Sequence, residues 1–241
     1  MHGTIATLKA DAGAGPSTVA IDVNGTLVVC DRSGVAWPPD SQALVVSDLH
    51  LEKGAAHARR GMLLPPYDTA ATLARLGAAI AFYDPRLVIS LGDSFHDRSG
   101  SENLPGAYRD TLQALQRGRD WAWIEGNHDP DRPVGLEGAW FSELHLETLT
   151  FRHEPRPGAA DGEVAGHLHP SARVVRRGKG VRRPCFASDG KRLLMPAFGS
   201  TTGALELRHP ALRGLFDHRR LIAHLIGRER IYSVAFHRMN G

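Results

Sequence analysis

Two cysteines, Cys30 and Cys185, are the only thiols in 241 residues. They lie too far apart to read as a disulfide framework, and both read as small buried hydrophobes. No apolar run approaches the roughly eighteen residues needed to span a bilayer. The opening stretch MHGTIATLKADAGAGPS has none of the apolar character of a signal peptide, so a cytoplasmic location is the expectation. No internal repeat is visible. Lysine is scarce, with 4 against 25 arginines.

What is present is the composition of an ordinary globular chain, 42% hydrophobic and 23% charged. The length suits one large domain. The formal charge of +3 conceals an asymmetry: residues 171–241 hold 15 Lys+Arg against 4 Asp+Glu, or +11, and the first 170 hold 14 against 22, or −8. A basic final third beside an acidic, histidine-bearing remainder suits a phosphate-rich partner. A general arginine bias on a solvated surface gives the same excess, so charge alone does not name nucleic acid.

Residues 1–17 read as a flexible entry and 18–241 as a single domain, with a motif-bearing core over 40–200 and a basic part over 171–241. Asn24-Gly25, between the β-rich runs STVAIDV and TLVVCD, predicts a hairpin. ALVVS (43–47), RLVIS (86–90) and WAWIE (121–125) predict buried strands. They alternate with a helix opened by Asp68 and stopped at Asp84-Pro85, and with a second helix carrying Tyr108, Leu112 and Leu115. Trp121 and Trp123 alternate on a strand and read as core. Beyond this the pattern is mostly strand. LHLETLTF (144–151) alternates, EVAG, ARVVR, RRPCFAS and KRLLMPAF follow, and a last helix near 215–226 precedes the strand IYSVAF. The expected fold is α/β, with two sheets packed face to face and covered by helices.

Five strand ends then deliver chemistry. ALVVS is followed by Asp48 and His50, RLVISL by Gly92-Asp93, WAWIE by Gly126-Asn127-His128-Asp129, TLTFR by His153, and EVA by Gly166-His167-Leu168-His169. Carboxyl ends of strands converge on the ligand crevice of α/β sheets. A pair of divalent ions needs such a set, with at least one bridging carboxylate. Asp48, His50, Asp93, Asn127, His153, His167 and His169 supply seven oxygen and nitrogen donors. Imidazole and carboxylate without thiolate suit Mn, Fe or Zn. The glycines at 92, 126 and 166 allow tight turns beside the ions. A lone D-x-H is weak, whereas G-N-H-D arises by chance roughly once in 10⁵ positions. The ordered set is specific. His2, His145, His209, His218, His224 and His237 read as ordinary surface or core residues.

These motifs, D48-x-H50, G92-D93, G126-N127-H128-D129, H153 and G166-H167-x-H169, match the ordered signature of the calcineurin-like metallophosphoesterase superfamily. The surrounding DLHLEKG, ARRGMLLPPYDT, GDSFHD, WIEGNHDP, FRHEP, GHLHP, RRPCF and PAFG more closely resemble the bacterial ligase-associated DNA damage response endonucleases. Arg152 stands where the wider superfamily has glycine before its histidine, though the narrower family also has R-H-E-P. The resemblance implies a four-layer αββα sandwich, a manganese-preferring phosphodiesterase or DNA endonuclease, and a place in DNA repair. An ATP-dependent DNA ligase, an exonuclease and a helicase are the partners it implies. It also implies one ion held by Asp48, His50, Asp93 and His169, and a second by Asp93, Asn127, His153 and His167, with Asp93 bridging.

The expected reaction is in-line attack of an activated water on phosphorus. His128 points away from its neighbour Asn127 and is free to protonate the leaving oxygen. Asp129 either orients that imidazole and keeps it protonated or simply forms the turn before Pro130. His96 and Asp97, with Lys53, Arg59 and Arg60, are candidates for phosphate contact; Arg60 is favoured for its bidentate geometry. A solvated loop explains each of them equally well. Two other functions remain open. One is a small-molecule phosphomonoesterase or nucleotide pyrophosphate hydrolase on the same fold. The other is a non-catalytic interaction module, which stands last because Asn127-His128 and all seven donors are intact.

Overall fold

Asn24 and Gly25 sit at φ of 54° and 82° and close the first hairpin, a conformation that favours these residue types. The computed structural model describes residues 17–59, 61, 68–158, 161–176, 179–200 and 202–239, with the side chains of residues 58, 59, 176 and 179 outside that description. In the first sheet, β1 (Thr18–Val23), β2 (Thr26–Asp31), β3 (Ala36–Trp37), β4 (Ala43–Val46), β5 (Leu87–Ser90), β6 (Asp120–Ile124) and β7 (Ala139–Phe141) lie in chain order. The strands from β1 to β4 pair antiparallel and those from β4 to β7 parallel. The crossovers run through α1 (Lys53–Arg59), α2 (Asp68–Tyr83) and α3 (Gly106–Gln116).

The parallel strands are buried on both faces, which explains their unbroken apolar runs. Val45, Ile89, Ala122 and Ile124 face the second sheet. Leu44, Val46, Val88, Trp121 and Trp123 face α2 and α3, meeting Leu73, Leu76, Ile80 and Leu112. The two tryptophans are core, as read.

The second sheet comprises β8 (Glu143–Leu146), β9 (Leu149–Arg152), β10 (Glu163–Ala165), β11 (Pro170–Arg176), β12 (Lys179–Ser188), β13 (Arg192–Leu194), β14 (Leu205–Glu206), β15 (Ile222–Ile226) and β16 (Ile231–Ala235). Its order is β14-β11-β12-β13-β10-β9-β8, and β15 joins β12 to β16. Leu149, Phe151, Val164, Phe186 and Leu193 press against the first sheet. This is the expected sandwich of two mixed sheets. Helices cover the first sheet. The outer face of the second is covered by Leu207, Leu212, Leu215, Leu221 and Met239, from a turn-rich segment with 3-10 turns at Pro210–Leu212 and Phe236–Arg238.

Two expectations are corrected. The alternating run 144–151 is a hairpin that turns at Glu147, φ 53°, without a glycine or asparagine to announce it. The expected helix over 215–226 is a turn followed by β15. Leu221/Leu225 and Ile222/Ile226 imitate helical spacing, yet Ile222 is 38% exposed while Leu221, Ala223, His224 and Leu225 are buried between neighbouring strands. Pairing with both β12 and β16 overrides the local pattern. Among the described residues no helix is long and apolar enough to cross a membrane.

His224, inside this sheet with Nδ1 2.8 Å from Ser233 Oγ, is pushed down to about 4 by burial. Its folded pKa lies below its unfolded value near 6.5, so the unfolded chain binds more protons between those limits. Stability is therefore lost as pH falls from about 6.5 to about 4, and by pH 5 this residue alone removes about 2 kcal/mol. His224→Gln is expected to flatten that part of a urea-unfolding profile measured from pH 7 to pH 5. An unchanged slope would contradict this.

Candidate metal centre

The carboxyl ends of β4, β5 and β6 in one sheet and of β9 and β10 in the other open on a single place. The backbone there is strained. Asp48, His50, Asp93, His167 and His169 take φ of 54°, 43°, 47°, 64° and 42°. Each left-handed residue bearing a Cβ costs on the order of 1 kcal/mol. The surroundings hold them in place. The β4–β5 pairing continues past the strand ends, with the N–H groups of His50 and Leu51 donating to the carbonyls of Asp93 and Ser94 at 2.9 Å.

Of the three glycines expected to make turns, Gly92 does so with φ 72°. The other two permit close approach. A Cβ on Gly126 would stand 2.1 Å from Asp93 N, and one on Gly166 would stand 1.8 Å from Ser47 Oγ and 2.5 Å from Asp48 Oδ2.

Asp48 is fully buried and Asp93 is 2% exposed. Their partners among the described residues are imidazoles, the Ser47 hydroxyl and backbone N–H groups, with no lysine or arginine. Asp48 Oδ1 lies 3.1 Å from His169 Nε2, and its carboxylate accepts from His167 N at 3.1 and 3.3 Å. Asp93 Oδ1 accepts from His128 N at 2.9 Å and lies 3.4 Å from His153 Nε2; its Oδ2 is 3.9 Å from His50 Nε2. Two compact triads result, Asp48/His50/His169 and Asp93/His153/His167, with the donor atoms of each lying within 4.8 Å of one another. Asp93 reaches toward both.

Hydrogen bonds orient these rings. His153 Nδ1–H donates to the Leu91 carbonyl at 2.8 Å and His169 Nδ1–H to the Gly203 carbonyl at 3.0 Å. Each therefore turns Nε2 inward, the usual arrangement for a ligating histidine. His153 Nε2 then meets Asn127 Oδ1 at 2.9 Å and His167 Nδ1 at 3.1 Å, besides Asp93. An amide oxygen, a carboxylate and two imidazoles converge there, a donor set that suits a divalent cation. Burial pushes His153 down, but the charges of Asp93 and Asp48 outweigh it and hold it well above its ordinary value. Burial pushes both carboxylates up; His169 and His153 overcome it at Asp48 and His153 at Asp93, so both stay low. Burial holds His50 down to about 4. All seven expected donors are thus brought together.

His128 is 41% exposed at its side chain, and its Nε2 lies 3.9 Å from Asp93 Oδ2. Its Nδ1 meets the His96 carbonyl at 3.0 Å, and the two rings stack at 5.3 Å. The expected role of Asp129 as the group orienting His128 is corrected here. Asp129 is 4% exposed, turns inward, and accepts from Phe95 N at 3.0 Å. Burial and the charge of Asp93 push it up to about 8, and its carboxyl faces the Phe95 N–H rather than the His128 ring. The His96 carbonyl, missed in the sequence, does the orienting.

His96 is at the centre as a ring and as a carbonyl. Asp97 accepts from Ser99 Oγ at 3.1 Å. Lys53 opens α1, half-buried, and burial lowers its pKa. Arg60 and the Arg59 side chain lie outside the described residues. Ser47, bonded to Asp48 Oδ2, and His57, whose ring stands 5.2 Å from His96, carry no signal in the sequence. A cleft of about 480 Å³ lined by Glu125, Asn127, Arg152, His153 and Arg156 opens beside the His153 triad.

A model of the calcineurin-like phosphoesterase family matches residues 42–193. Among solved structures, the nuclease MPE of Pseudomonas putida aligns with a TM-score of 0.68 and 29% identity, over 90% of this chain and 100% of that one. Yfce, a phosphoesterase from E. coli, aligns with a TM-score of 0.40 and 16% identity, over 82% of this chain and 99% of that one. A comparison with curated proteins returns no match.

Gly166→Ala is expected to destabilise the fold by about 1–3 kcal/mol through overpacking against Ser47 and Asp48. Gly203→Ala, with nothing within 4 Å of its Cβ, is the neutral control. Urea denaturation separates the two, and equal midpoints would contradict the close approach.

Proposed function

The chain belongs to the calcineurin-like phosphoesterase family and is a metal-dependent phosphoesterase hydrolase, and from that premise we propose that it cleaves phosphodiester bonds of DNA with manganese. The observation that carries the phosphoester chemistry of this reading is the pair of triads, Asp48/His50/His169 and Asp93/His153/His167, with Asp93 between them. Asn127 Oδ1 completes the second set through its contact with His153. Two dications bound there supply Lewis-acid charge at the phosphoryl oxygens and lower the pKa of water toward neutrality. Donors that are all oxygen and imidazole nitrogen suit Mn, with Fe and Zn as alternatives.

The residues of this chain do the rest. Two carboxylates leave a pair of dications with excess positive charge, so the centre attracts a phosphate. His128, steadied by the His96 carbonyl and stacked on the His96 ring, holds its Nε2 where it protonates the leaving oxygen. Hydrophobic walls from both sheets keep the carboxylates in a low-dielectric setting where their pull is strong. The choice of a nucleic-acid diester is supported by likeness to a nuclease along that protein's whole length and by the basic final third of the chain. The DNA-repair setting, and a ligase, an exonuclease and a helicase as partners, enter on the resemblance of the flanking motifs.

With Mn²⁺, the protein is expected to hydrolyse bis(4-nitrophenyl) phosphate and to nick plasmid DNA, and to act more weakly on 4-nitrophenyl phosphate. Hydrolysis of the monoester alone would overturn the nuclease reading. Asp93→Ala should lose bound manganese by calorimetry. His128→Ala should keep the metal and lose about 10²–10⁴ in kcat. The reverse pattern would contradict the assigned roles.

A further inference from the structure

The segment after β5 and the helix after β4 bring two further imidazoles to His128. Backbone pairing carries the first past its strand end. Leu51 and Phe95 form a parallel bridge, and His96 N donates to the Leu51 carbonyl at 3.0 Å. The second is His57, half-buried in α1, the helix that opens two residues after Leu51. One piece of chain therefore fixes His96 by its backbone and approaches it again with a ring.

The rings form a ladder in which His96 is shared. The centroids of His57 and His96 are 5.2 Å apart with 30° between the planes, and those of His96 and His128 are 5.3 Å apart with 19°. These are the spacings of offset-stacked rings. His50 meets the other two edge-on, His96 at 5.6 Å and His128 at 5.3 Å. The partly exposed His128 ring is held by a hydrogen bond from Nδ1–H to the His96 carbonyl at 3.0 Å. That bond decides which nitrogen stays free, and the stack on His96 sets the plane of the ring. His57 Nδ1 is buried and has no hydrogen-bond partner among the described residues. On that side His57 contributes a ring face and no hydrogen bond.

We infer that His57 is a positioning residue for the proton donor: it braces the His96 ring, and the braced ring keeps His128 Nε2 in place to protonate the leaving oxygen. The inference rests on the phosphoesterase reading. There a water oxygen bonds to phosphorus and the bond from phosphorus to the leaving oxygen breaks. The leaving oxygen keeps that electron pair and takes the proton from His128 Nε2. A sugar alkoxide needs this proton, whereas 4-nitrophenolate departs as a stable anion without it. Loss of His57 therefore falls on DNA and spares the activated diester, which a general loosening of the fold or of the metal ligands would not do.

The test compares His57→Ala and His57→Phe for kcat on plasmid DNA and on bis(4-nitrophenyl) phosphate with Mn²⁺, and for manganese binding by calorimetry. His57→Ala is expected to lose about tenfold on DNA and to stay within about twofold of wild type on the small diester, with manganese affinity unchanged. His57→Phe restores a ring face and should cleave both at the wild-type rate. In the metal-free protein, the His128 ring protons should shift in the NMR spectrum of the alanine variant. His57→Gln, which keeps length and polarity without a ring, repeats the alanine test if truncation weakens the fold. An equal loss on both substrates, full DNA cleavage by the ringless variants, unmoved His128 resonances in them, or a phenylalanine variant as slow as alanine would each overturn the proposal. If the wild-type protein hydrolyses phosphomonoesters alone, the nuclease reading falls, and the same comparison between an alkyl and a 4-nitrophenyl monoester still decides the role of His57.

Discussion

Two carboxylates buried, among the described residues, without a lysine or arginine are the constraint on which the rest depends. Asp48 and Asp93 sit at 0% and 2% exposure between two sheets, where an uncompensated charge is costly. Imidazoles answer them, and the hydrogen bonds from His153 and His169 to backbone carbonyls aim ring nitrogens at the same space. Protons on those rings compensate in part, which is why His153 and His169 are held above their ordinary values. A pair of dications compensates fully. The left-handed backbone at Asp48, His50, Asp93, His167 and His169 follows from the same demand, because extended strands alone do not bring these donors to one point.

The first sheet was legible because its signals are local. Asn24-Gly25 fixes a hairpin, Asp84-Pro85 stops a helix, and unbroken apolar runs mark parallel strands covered on both faces. The seven donors were legible because each follows such a run, and topology guarantees that carboxyl ends converge. The second sheet was harder to read. Leu221 to Ile226 has the spacing of a helix and the environment of a strand, and only its neighbours β12 and β16 decide between them. The turn at Glu147 uses a non-glycine residue in the left-handed region, which no sequence rule favours. The roles of Asp129 and His96 were illegible for the same reason. Whether a carboxylate faces a neighbouring ring or a backbone N–H thirty-four residues away depends on packing, and here Phe95 N holds it.

Function divides between the centre and what surrounds it. Two ions serve monoesters and diesters alike, so the metal chemistry does not choose the substrate. Discrimination falls to the surfaces that approach the centre. One is the cleft beside His153, lined by Glu125, Arg152, Glu154 and Arg156, where both arginines pair with Glu143. A basic stretch, residues 170–188 of β11 and β12, follows His169 in the sequence and contains no Asp or Glu. The charge asymmetry along the chain thereby acquires a location: the acidic, histidine-rich part builds the centre, and part of the basic remainder extends from it.

The most direct measurement is anomalous diffraction at the manganese edge from crystals soaked in Mn²⁺. Two peaks roughly 3.5–4 Å apart, with the Asp93 carboxylate between them and Asp48 and His167 on opposite sides, are the expected result. A single peak away from Asp93, or ions scattered over unrelated faces, would contradict a shared dinuclear centre.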